Sequence, residues 1–215
     1  MAELPENHQV VVFDNGSSDN TEQVIKDYKG KPTLTYIKSE INLGFSGGCN
    51  GAFLEAKGEY ICFLNNDTKV RSNKEGWTQP LIENAGDGLI GPTIGLLNRS
   101  LDFITEASVW PANRELLVYL SGWNITAKRV TWERFILPGE VGPFTTEFGK
   151  AYFEDPDLCF RAAEMGIPMK LLDVPVTHFG KVTSQKIGIS SLYVPAKQKF
   201  VEKWKERSKK LPKQY

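Results

Sequence analysis

Residues 8–13 read HQVVVF, residues 33–38 read TLTYIK, and residues 60–65 read YICFLN. Each is a short run rich in β-branched and aromatic residues, and this composition is typical of β-strands. Helical patterns separate the runs, one from about Ser18 to Tyr28 and one that ends near Ala56. This alternation predicts an α/β fold with a mostly parallel sheet and right-handed crossovers. The third run is almost continuously apolar, which favours a strand buried on both faces.

The rest of the chain continues this alternation less clearly. A helix is predicted from Asn73 to about Asn84, and GLIGPTIGLL (88–97) predicts one strand or a broken pair. A further helix from Pro156 to Met165 precedes the strand MKLLDVPV (169–176). The stretch 98–150 has no helical period and predicts extended and loop structure. We therefore expect one domain over residues 1–194 and a basic helical tail over residues 195–215.

Composition and charge exclude several classes of protein. The 215-residue chain carries 26 Lys plus Arg and 26 Asp plus Glu, so no overall field attracts nucleic acid. Its three cysteines form no C-x-x-C pair, which argues against a disulfide framework and favours a reducing compartment. No window of 18 apolar residues is present, and the first residues are polar rather than a basic region before an apolar one. These features predict a cytoplasmic protein.

The first candidate site follows the first strand. Asp14, Asn15 and Ser17 lie where a parallel sheet presents the carboxyl ends of its strands, and ligands bind at that edge. The Asp14 carboxylate can accept a hydrogen bond from a base N–H. The same residues would also form an Asx-turn that starts a helix without any ligand. Both interpretations stay open on the sequence alone.

The second candidate site follows the run YICFLN. Asn65, Asn66 and Asp67 provide hard oxygen ligands at the end of a strand, which suits Mg²⁺ or Mn²⁺ held together with a diphosphate. The alternative is a polar turn of common composition.

The third candidate site is the acidic stretch from Glu154 to Asp157. Three carboxylates within four residues repel one another, and a helix N-terminus compensates them in part. In a functional interpretation one carboxylate is a general base that removes a proton from an acceptor hydroxyl. A plain helix start is the alternative.

Two weaker signals remain. His178 follows a predicted strand and can contact a metal or a phosphate, although a lone histidine there is more often structural. The glycines at 44, 47 and 48 can admit a phosphate closely, but they match neither the Walker spacing nor G-x-G-x-x-G.

Together these motifs resemble the family 2 glycosyltransferases of the GT-A fold. The matching strings are VVVFDNGSSDNT, INLGFSGGCNGAFLEAKGEYICFLNNDTKV and YFEDPDLCFRAAEMG, followed by KLLDVPVTHFG. The resemblance covers about residues 10–180, with a poor match from about 98 to 145. The order of four separate motifs makes it specific.

The resemblance implies an inverting transfer of a sugar from a nucleoside-diphosphate sugar to a glycan or a lipid-linked acceptor, as in cell-surface polysaccharide synthesis. It implies that Asp155, with Glu154 beside it, is the catalytic base. It implies that Asp67 and His178 bind Mn²⁺ or Mg²⁺. It also implies a nucleotide-sugar site formed by Asp14, Asn15, Ser17, Asn42, Gly44, Gly47, Gly48, Asn50, Asn65 and Asn66.

One departure from the family concerns the start of the sheet. Relatives begin with an apolar strand that also touches the nucleotide, and here the first apolar strand begins at Val10. We therefore expect a sheet that lacks an inner strand, which keeps open a binding or scaffolding domain without turnover. A nucleotidyltransferase is a further rival, but it would show a glycine-rich loop bearing Lys or Arg after its first strand, and none is visible.

Aromatic residues raise two questions that the sequence leaves open. Trp110, Trp123 and Trp132 can stack on an acceptor or belong to the core. In the tail, Phe200 and Trp204 lie four residues apart among many lysines. They can support weak, charge-driven contact with an anionic membrane surface, or they can pack onto the domain.

Overall fold

The computed structural model describes residues 4–30, 32–71, 76–180 and 190–212. Within these residues the strands are β1 Gln9–Asn15, β2 Thr33–Ser39, β3 Tyr60–Leu64, β4 Thr68–Val70, β5 Leu89–Gly91, β6 Ile94–Leu97, β7 Phe103–Ala107, β8 Leu117–Leu120, β9 Asn124–Lys128, β10 Met169–Leu171 and β11 Val176–His178. The helices are α1 Thr21–Lys26, α2 Gly44–Glu55, α3 Gln79–Ala85, α4 Arg129–Glu133, α5 Glu154–Glu164 and α6 Ser190–Trp204, and a 3₁₀ turn follows at Arg207–Lys210. The predicted α/β alternation is confirmed.

The strands form a mixed set of sheets. β1 and β2 pair in parallel, and a second sheet has the order β10-β5-β9-β3. β9 lies antiparallel between β3 and β5, so this sheet is less parallel than the sequence predicts. β7, β6 and β8 form an antiparallel sheet, and β4 pairs with β11.

The expected gap in the sheet is present. In the described part of the chain β1 pairs only with β2, and β3 pairs only with β9, so no ladder joins β1 to β3. Helix α2 contacts both strands: a Cβ on Gly51 would lie 2.3 Å from the ring of Phe13, and Phe53 stacks on Phe63. The two sheets are therefore held together by helix packing.

Burial of β3 is one-sided rather than two-sided. Ile61 and Phe63 are buried, whereas Leu64 is 42% exposed. Phe63 packs edge-on against Trp132 and Phe144 in the main core, and burial of such large aromatic side chains is the dominant stabilising term there.

Several predicted helices shift or change. The helix predicted from Asn73 begins at Gln79, with Pro80 in its first turn, and Asn73 itself lies outside the described residues. Residues 88–97 form the broken pair of strands β5 and β6. The short helix α4 lies within a stretch that predicts no helix.

The tail packs into the main core. α6 runs from Ser190 to Trp204 and so crosses residue 195, where the tail is expected to begin. Ala196, Phe200 and Trp204 are at most 1% exposed. Phe200 stacks on Phe153, and Trp204 meets Phe160 edge-on. Of the two interpretations of these tail aromatics, packing onto the domain is the one observed. No described helix is long and apolar enough to cross a membrane.

Candidate functional site

Asp14 lies next to the end of β1 as a buried carboxylate with one hydrogen bond to each oxygen. It is 3% exposed. Its Oδ1 accepts the backbone N–H of Ser17 at 2.8 Å, and its Oδ2 accepts the hydroxyl of Tyr36 at 2.7 Å. Burial alone would raise the pKa of this carboxyl, but the hydrogen bonds from Ser17 and Tyr36 outweigh burial and leave it lowered. Asp14 is therefore held ionised and oriented at the strand end.

The glycine-rich segment, with glycines at 44, 47 and 48, forms the start of helix α2 rather than a loop. Asn15 fastens it to β1, because its Nδ2 donates to the Gly44 carbonyl at 2.8 Å and its Oδ1 accepts from the Leu43 N–H at 2.7 Å. The Asn42 side chain accepts from the Gly44 N–H at 2.8 Å. Gly44 has φ +78°, and a Cβ there would lie 2.5 Å from the Cα of Lys150, so glycine is required for this close approach.

The other predicted donor-side residues lie at different depths. Gly48 faces Asn15, since a Cβ on it would lie 3.1 Å from the Asn15 Nδ2. Asn50 is 1% exposed and uses both ends of its amide on the backbone of Phe144, at 2.7 and 3.0 Å. Asn50 thus holds α2, in which it lies, to the backbone at Phe144.

Asp67 and His178 meet through the pairing of β4 with β11. Their side chains approach with the His178 Nε2 3.1 Å from the Asp67 Oδ1. This oxygen is buried and accepts no hydrogen bond from the described residues. Asn65 precedes them at the end of β3, where its N–H donates to the Trp123 carbonyl at 2.9 Å. The structure therefore brings together the two predicted metal ligands.

The Asp67–His178 pair fits a divalent cation that shares its coordination with a substrate. A buried carboxylate oxygen without a hydrogen bond is a ready ligand, and an imidazole nitrogen faces it. No cluster of three or more acidic, histidine or cysteine side chains suited to a metal occurs within the described ranges. Mg²⁺ commonly binds through one or two carboxylates plus substrate phosphates, so two protein ligands suffice.

The acidic stretch forms the first turn of α5 after an unusual backbone. Tyr152 and Phe153, the two residues before Glu154, have φ +75° and +71°, which is a strained region for side chains of this size. Glu154 is 9% exposed, whereas Asp155 is only partly buried. The Asp155 Oδ2 accepts the Gly122 N–H at 3.0 Å. Asp155 is thus the more accessible of the predicted acidic pair.

Burial changes the acidity of both groups. It raises the pKa of Asp155 to about 7, against the opposing effect of the Gly122 N–H. Burial, together with the negative charge of Asp155, raises the pKa of Glu154 to about 8. A carboxylate with a pKa near 7 is well matched to proton transfer at neutral pH.

Asp157, the third carboxylate, belongs to a structural network. It is fully buried and accepts from the Arg161 Nε and the Trp204 Nε1, each at 2.8 Å. Lys203 also lies 2.8 Å from it. Arg161 in turn donates to the carbonyls of Phe135 and Pro143. The repulsion predicted for this stretch is therefore relieved at Asp157 by cations and an indole from α5 and α6.

A single turn contacts both the Asp67–His178 pair and Asp155. The turn 121–123 connects β8 to β9; Gly122 contacts Asp155, and Trp123 stacks on His178 with centroids 5.1 Å apart. The start of α2 is also connected to the acidic stretch, because the Phe45 N–H donates to the Lys150 carbonyl at 2.8 Å, two residues before Tyr152. Trp123 and Trp132 are both buried, and Trp110 is partly buried against the core.

Sequence reasoning missed Tyr36, which donates to Asp14, and Gly122, which donates to Asp155. It also missed Ser121, the residue before Gly122, whose hydroxyl donates to Glu106 of β7. Their neighbours in sequence form no recognisable motif, and only Trp123 drew attention to the turn. The sequence leaves Trp123 open as an acceptor platform or a core residue. Trp123 is a core residue, 6% exposed, and its ring also stacks on His178.

A family model identifies the family of this chain. The family model described as "Glycosyl transferase family 2" matches residues 2–127, more than half of the chain. The chain is 32% identical over 68 residues to the poly-beta-1,6-N-acetyl-D-glucosamine synthase of Staphylococcus epidermidis, covering 32% of this chain and 16% of that protein. It is 30% identical over 64 residues to the cholesterol galactosyltransferase of Borreliella burgdorferi, covering 30% and 18%. The chain thus matches less than a fifth of the length of either relative.

Solved structures share the fold at low identity. The structure of GalNAc-T7 with UDP, GalNAc and Mn²⁺ superposes with a TM-score of 0.62 and 17% identity, over 94% of this chain and 43% of that one. The mannosyltransferase PcManGT from Pyrobaculum calidifontis, in complex with GDP-Man and Mn²⁺, gives 0.59 and 19%, over 95% and 56%. These neighbours confirm the predicted GT-A fold.

Proposed function

Because the chain belongs to glycosyl transferase family 2, we propose that it is an inverting, metal-dependent glycosyltransferase that moves a sugar from a nucleoside-diphosphate sugar to an acceptor hydroxyl. The observation that carries this proposal is the turn 121–123, which holds Asp155 on one side and His178, facing Asp67, on the other. A general base and a site for a diphosphate-bound cation are the two elements that such a transfer requires.

Asp67 and His178 would hold Mn²⁺ or Mg²⁺, which when bound neutralises charge on the departing diphosphate. Asp14 would accept a hydrogen bond from the nucleotide base. Although Asp14 is only 3% exposed, its two oxygens accept one hydrogen bond each, and a carboxylate can accept about four. Asn15 and Asn42 would keep the start of α2 in place against the donor.

Asp155 would accept the proton of the acceptor hydroxyl as that oxygen attacks the anomeric carbon. The bond between that carbon and the diphosphate oxygen breaks in the same step, and a nucleoside diphosphate leaves. A single displacement of this kind inverts the anomeric carbon. Water must be excluded from the site, because it would compete with the acceptor for the donor sugar.

We propose the donor and the acceptor by their chemical class. GalNAc-T7 was solved with UDP and GalNAc, and PcManGT with GDP-Man, so UDP- and GDP-linked sugars are the first donors to test. One relative is a poly-beta-1,6-N-acetyl-D-glucosamine synthase and another a cholesterol galactosyltransferase, so we propose a glycan or a lipid-linked acceptor and synthesis of a cell-surface polysaccharide. Such a reaction would draw on donors in the cytoplasm.

The deciding experiment is a donor-hydrolysis and transfer screen over a panel of UDP- and GDP-sugars with Mn²⁺. Turnover of at least one donor that is lost in EDTA supports the proposal. One rival is specifically favoured by the strand edges of β1 and β3 that have no partner among the described residues: a domain that binds nucleotide without turnover. Calorimetric binding of a nucleoside diphosphate, with no turnover of any donor, would establish that rival.

A further inference from the structure

Glu106 lies beside the proposed catalytic base although it is distant from it in sequence. It is on the edge strand β7, opposite Gly95 of β6, and Gly95 is opposite Tyr119 of β8. The Glu106 Oε1 accepts the hydroxyl of Ser121 at 2.8 Å. The three-stranded sheet therefore brings a carboxylate to the turn that follows β8.

Hydrogen bonds fix two consecutive residues of that turn, Ser121 and Gly122. The Ser121 N–H donates to the Thr93 carbonyl at 2.9 Å, while its hydroxyl donates to Glu106. The next residue, Gly122, donates its N–H to the Asp155 Oδ2 at 3.0 Å. A Cβ on Gly122 would lie 3.2 Å from the Asp155 Cβ, so the backbone of the turn lies directly against the base.

The charge of Glu106 is not neutralised locally. Glu106 is exposed on β7, and within the described residues its carboxylate accepts from the Ser121 hydroxyl without forming an ion pair. Glu106 adds to the negative potential at Asp155 and contributes to the raised pKa of that carboxyl, after the larger effect of burial. The other titratable groups that face Asp155 are Glu154 and Cys159 of α5 and Tyr119 of β8.

We propose that Glu106 and Ser121 are positioning residues for Asp155: Ser121 fixes the turn that donates to the base, and Glu106 anchors Ser121 and adds a negative charge near the base. The reaction itself rests on the proposed function. The placement of the Asp155 carboxylate does not, because it can be measured without turnover.

The two residues act on Asp155 with opposite sign, which makes the proposal testable. Glu106→Gln removes a negative charge but keeps an acceptor for Ser121, so the Asp155 pKa should fall by about 0.5 unit. Ser121→Ala removes the anchor of the turn and weakens the hydrogen bond that favours ionised Asp155, so the pKa should rise by a similar amount. A residue that only stabilises the fold would move neither value.

The test is a ¹³C NMR titration of the Asp155 carboxyl in the full chain, assigned through Asp155→Asn. Glu83→Gln, an exposed carboxylate on α3 that pairs with Gln79, is the matched control and should leave the value unchanged. Shifts in opposite directions support the proposal; no shift, or shifts in the same direction, overturns it. If Ser121→Ala does not fold, the fall in Glu106→Gln alone decides.

Transfer assays separate this proposal from the proposed function. In an active enzyme the acidic limb of the kcat–pH profile should move to lower pH in Glu106→Gln and to higher pH in Ser121→Ala. If no donor is turned over by the unmodified protein, the proposed function fails, while the titration still decides the placement of Asp155.

Discussion

The indole of Trp123 stacks on the imidazole of His178, with ring centroids 5.1 Å apart and planes within 12° of parallel. The stack fixes the ring whose Nε2 faces Asp67. Because the residue before Trp123 donates to Asp155, one turn sets the orientation of groups on both sides of the proposed reaction centre. Rigid support of this kind is what precise placement of catalytic groups requires.

Asp67 is predicted to be the principal protein ligand of a required divalent cation. Asp67→Ala should abolish Mn²⁺-dependent binding of UDP or GDP in calorimetry while leaving the circular dichroism spectrum unchanged. Asp87→Ala, which removes an exposed carboxylate paired with Lys128, is the matched control and should bind normally. Full transfer activity in EDTA would show that the cation is not needed.

Asp155 is predicted to be the general base. Asp155→Asn keeps the shape of the side chain but cannot accept the proton, so donor binding should persist while kcat falls by about 10²-fold or more. Since the base acts when ionised and its pKa is about 7, the activity of the unmodified protein should rise with pH through that value. Transfer at the native rate in this variant would point to Glu154, because Asp157 is buried in its network.

Glu154 is predicted to make the protein less stable at high pH. Its pKa rises from 4.5 to about 8 on folding, so the folded state holds the proton more tightly than the unfolded state. The free energy of unfolding therefore falls as the pH rises through this window. Glu154→Gln should be more stable than the unmodified protein by on the order of 3 kcal/mol at pH 8.5, with little difference at pH 4.

Urea denaturation at the two pH values measures this difference. Glu115→Gln, which alters an exposed carboxylate, serves as the control and should show no dependence on pH beyond that of the unmodified protein. A variant at position 154 that is equally destabilised at both pH values would show that the side chain is needed for packing rather than burdened by its charge.

Trp204 is predicted to hold the tail to the domain. Trp204→Ala should cost about 3–5 kcal/mol because it empties a fully buried site. Trp204→Phe keeps much of the packing but leaves Asp157 without the indole N–H, so a smaller cost of about 1–3 kcal/mol is expected in the same denaturation experiment. Equal stability of all three proteins would contradict a structural role.

The same packing bears on membrane contact. Phe200 and Trp204 are buried, and many basic tail side chains are paired, as Lys197 is with Asp102 and Arg207 with Glu164. We predict that the protein stays in the supernatant when mixed with anionic vesicles at 0.15 M salt, where charge attraction is screened within about 8 Å. Binding that persists at this salt, and is lost in Lys205→Glu/Lys210→Glu, would instead establish the membrane surface as a partner.

Local patterns determined much of the fold. The strands β1, β2 and β3 and the intervening helices can be predicted because each signal lies within a contiguous run of residues. The positions of Asp14, Asp67 and Asp155 as candidate site residues follow in the same way, since polar residues at strand ends and helix starts mark the functional edge of an α/β fold.

Tertiary structure alone decided how these pieces combine. The antiparallel entry of β9, the stack of Trp123 on His178, the contact of Glu106 with Ser121 and the burial of Asp157 against Trp204 all join residues far apart in sequence, 47 positions in the last case. A side chain in such a contact carries no local signal, because its partner is fixed by the path of the whole chain. Residue types and strand ends are written in the sequence, whereas the orientation and the raised pKa of Asp155 come from the groups that the fold packs against it.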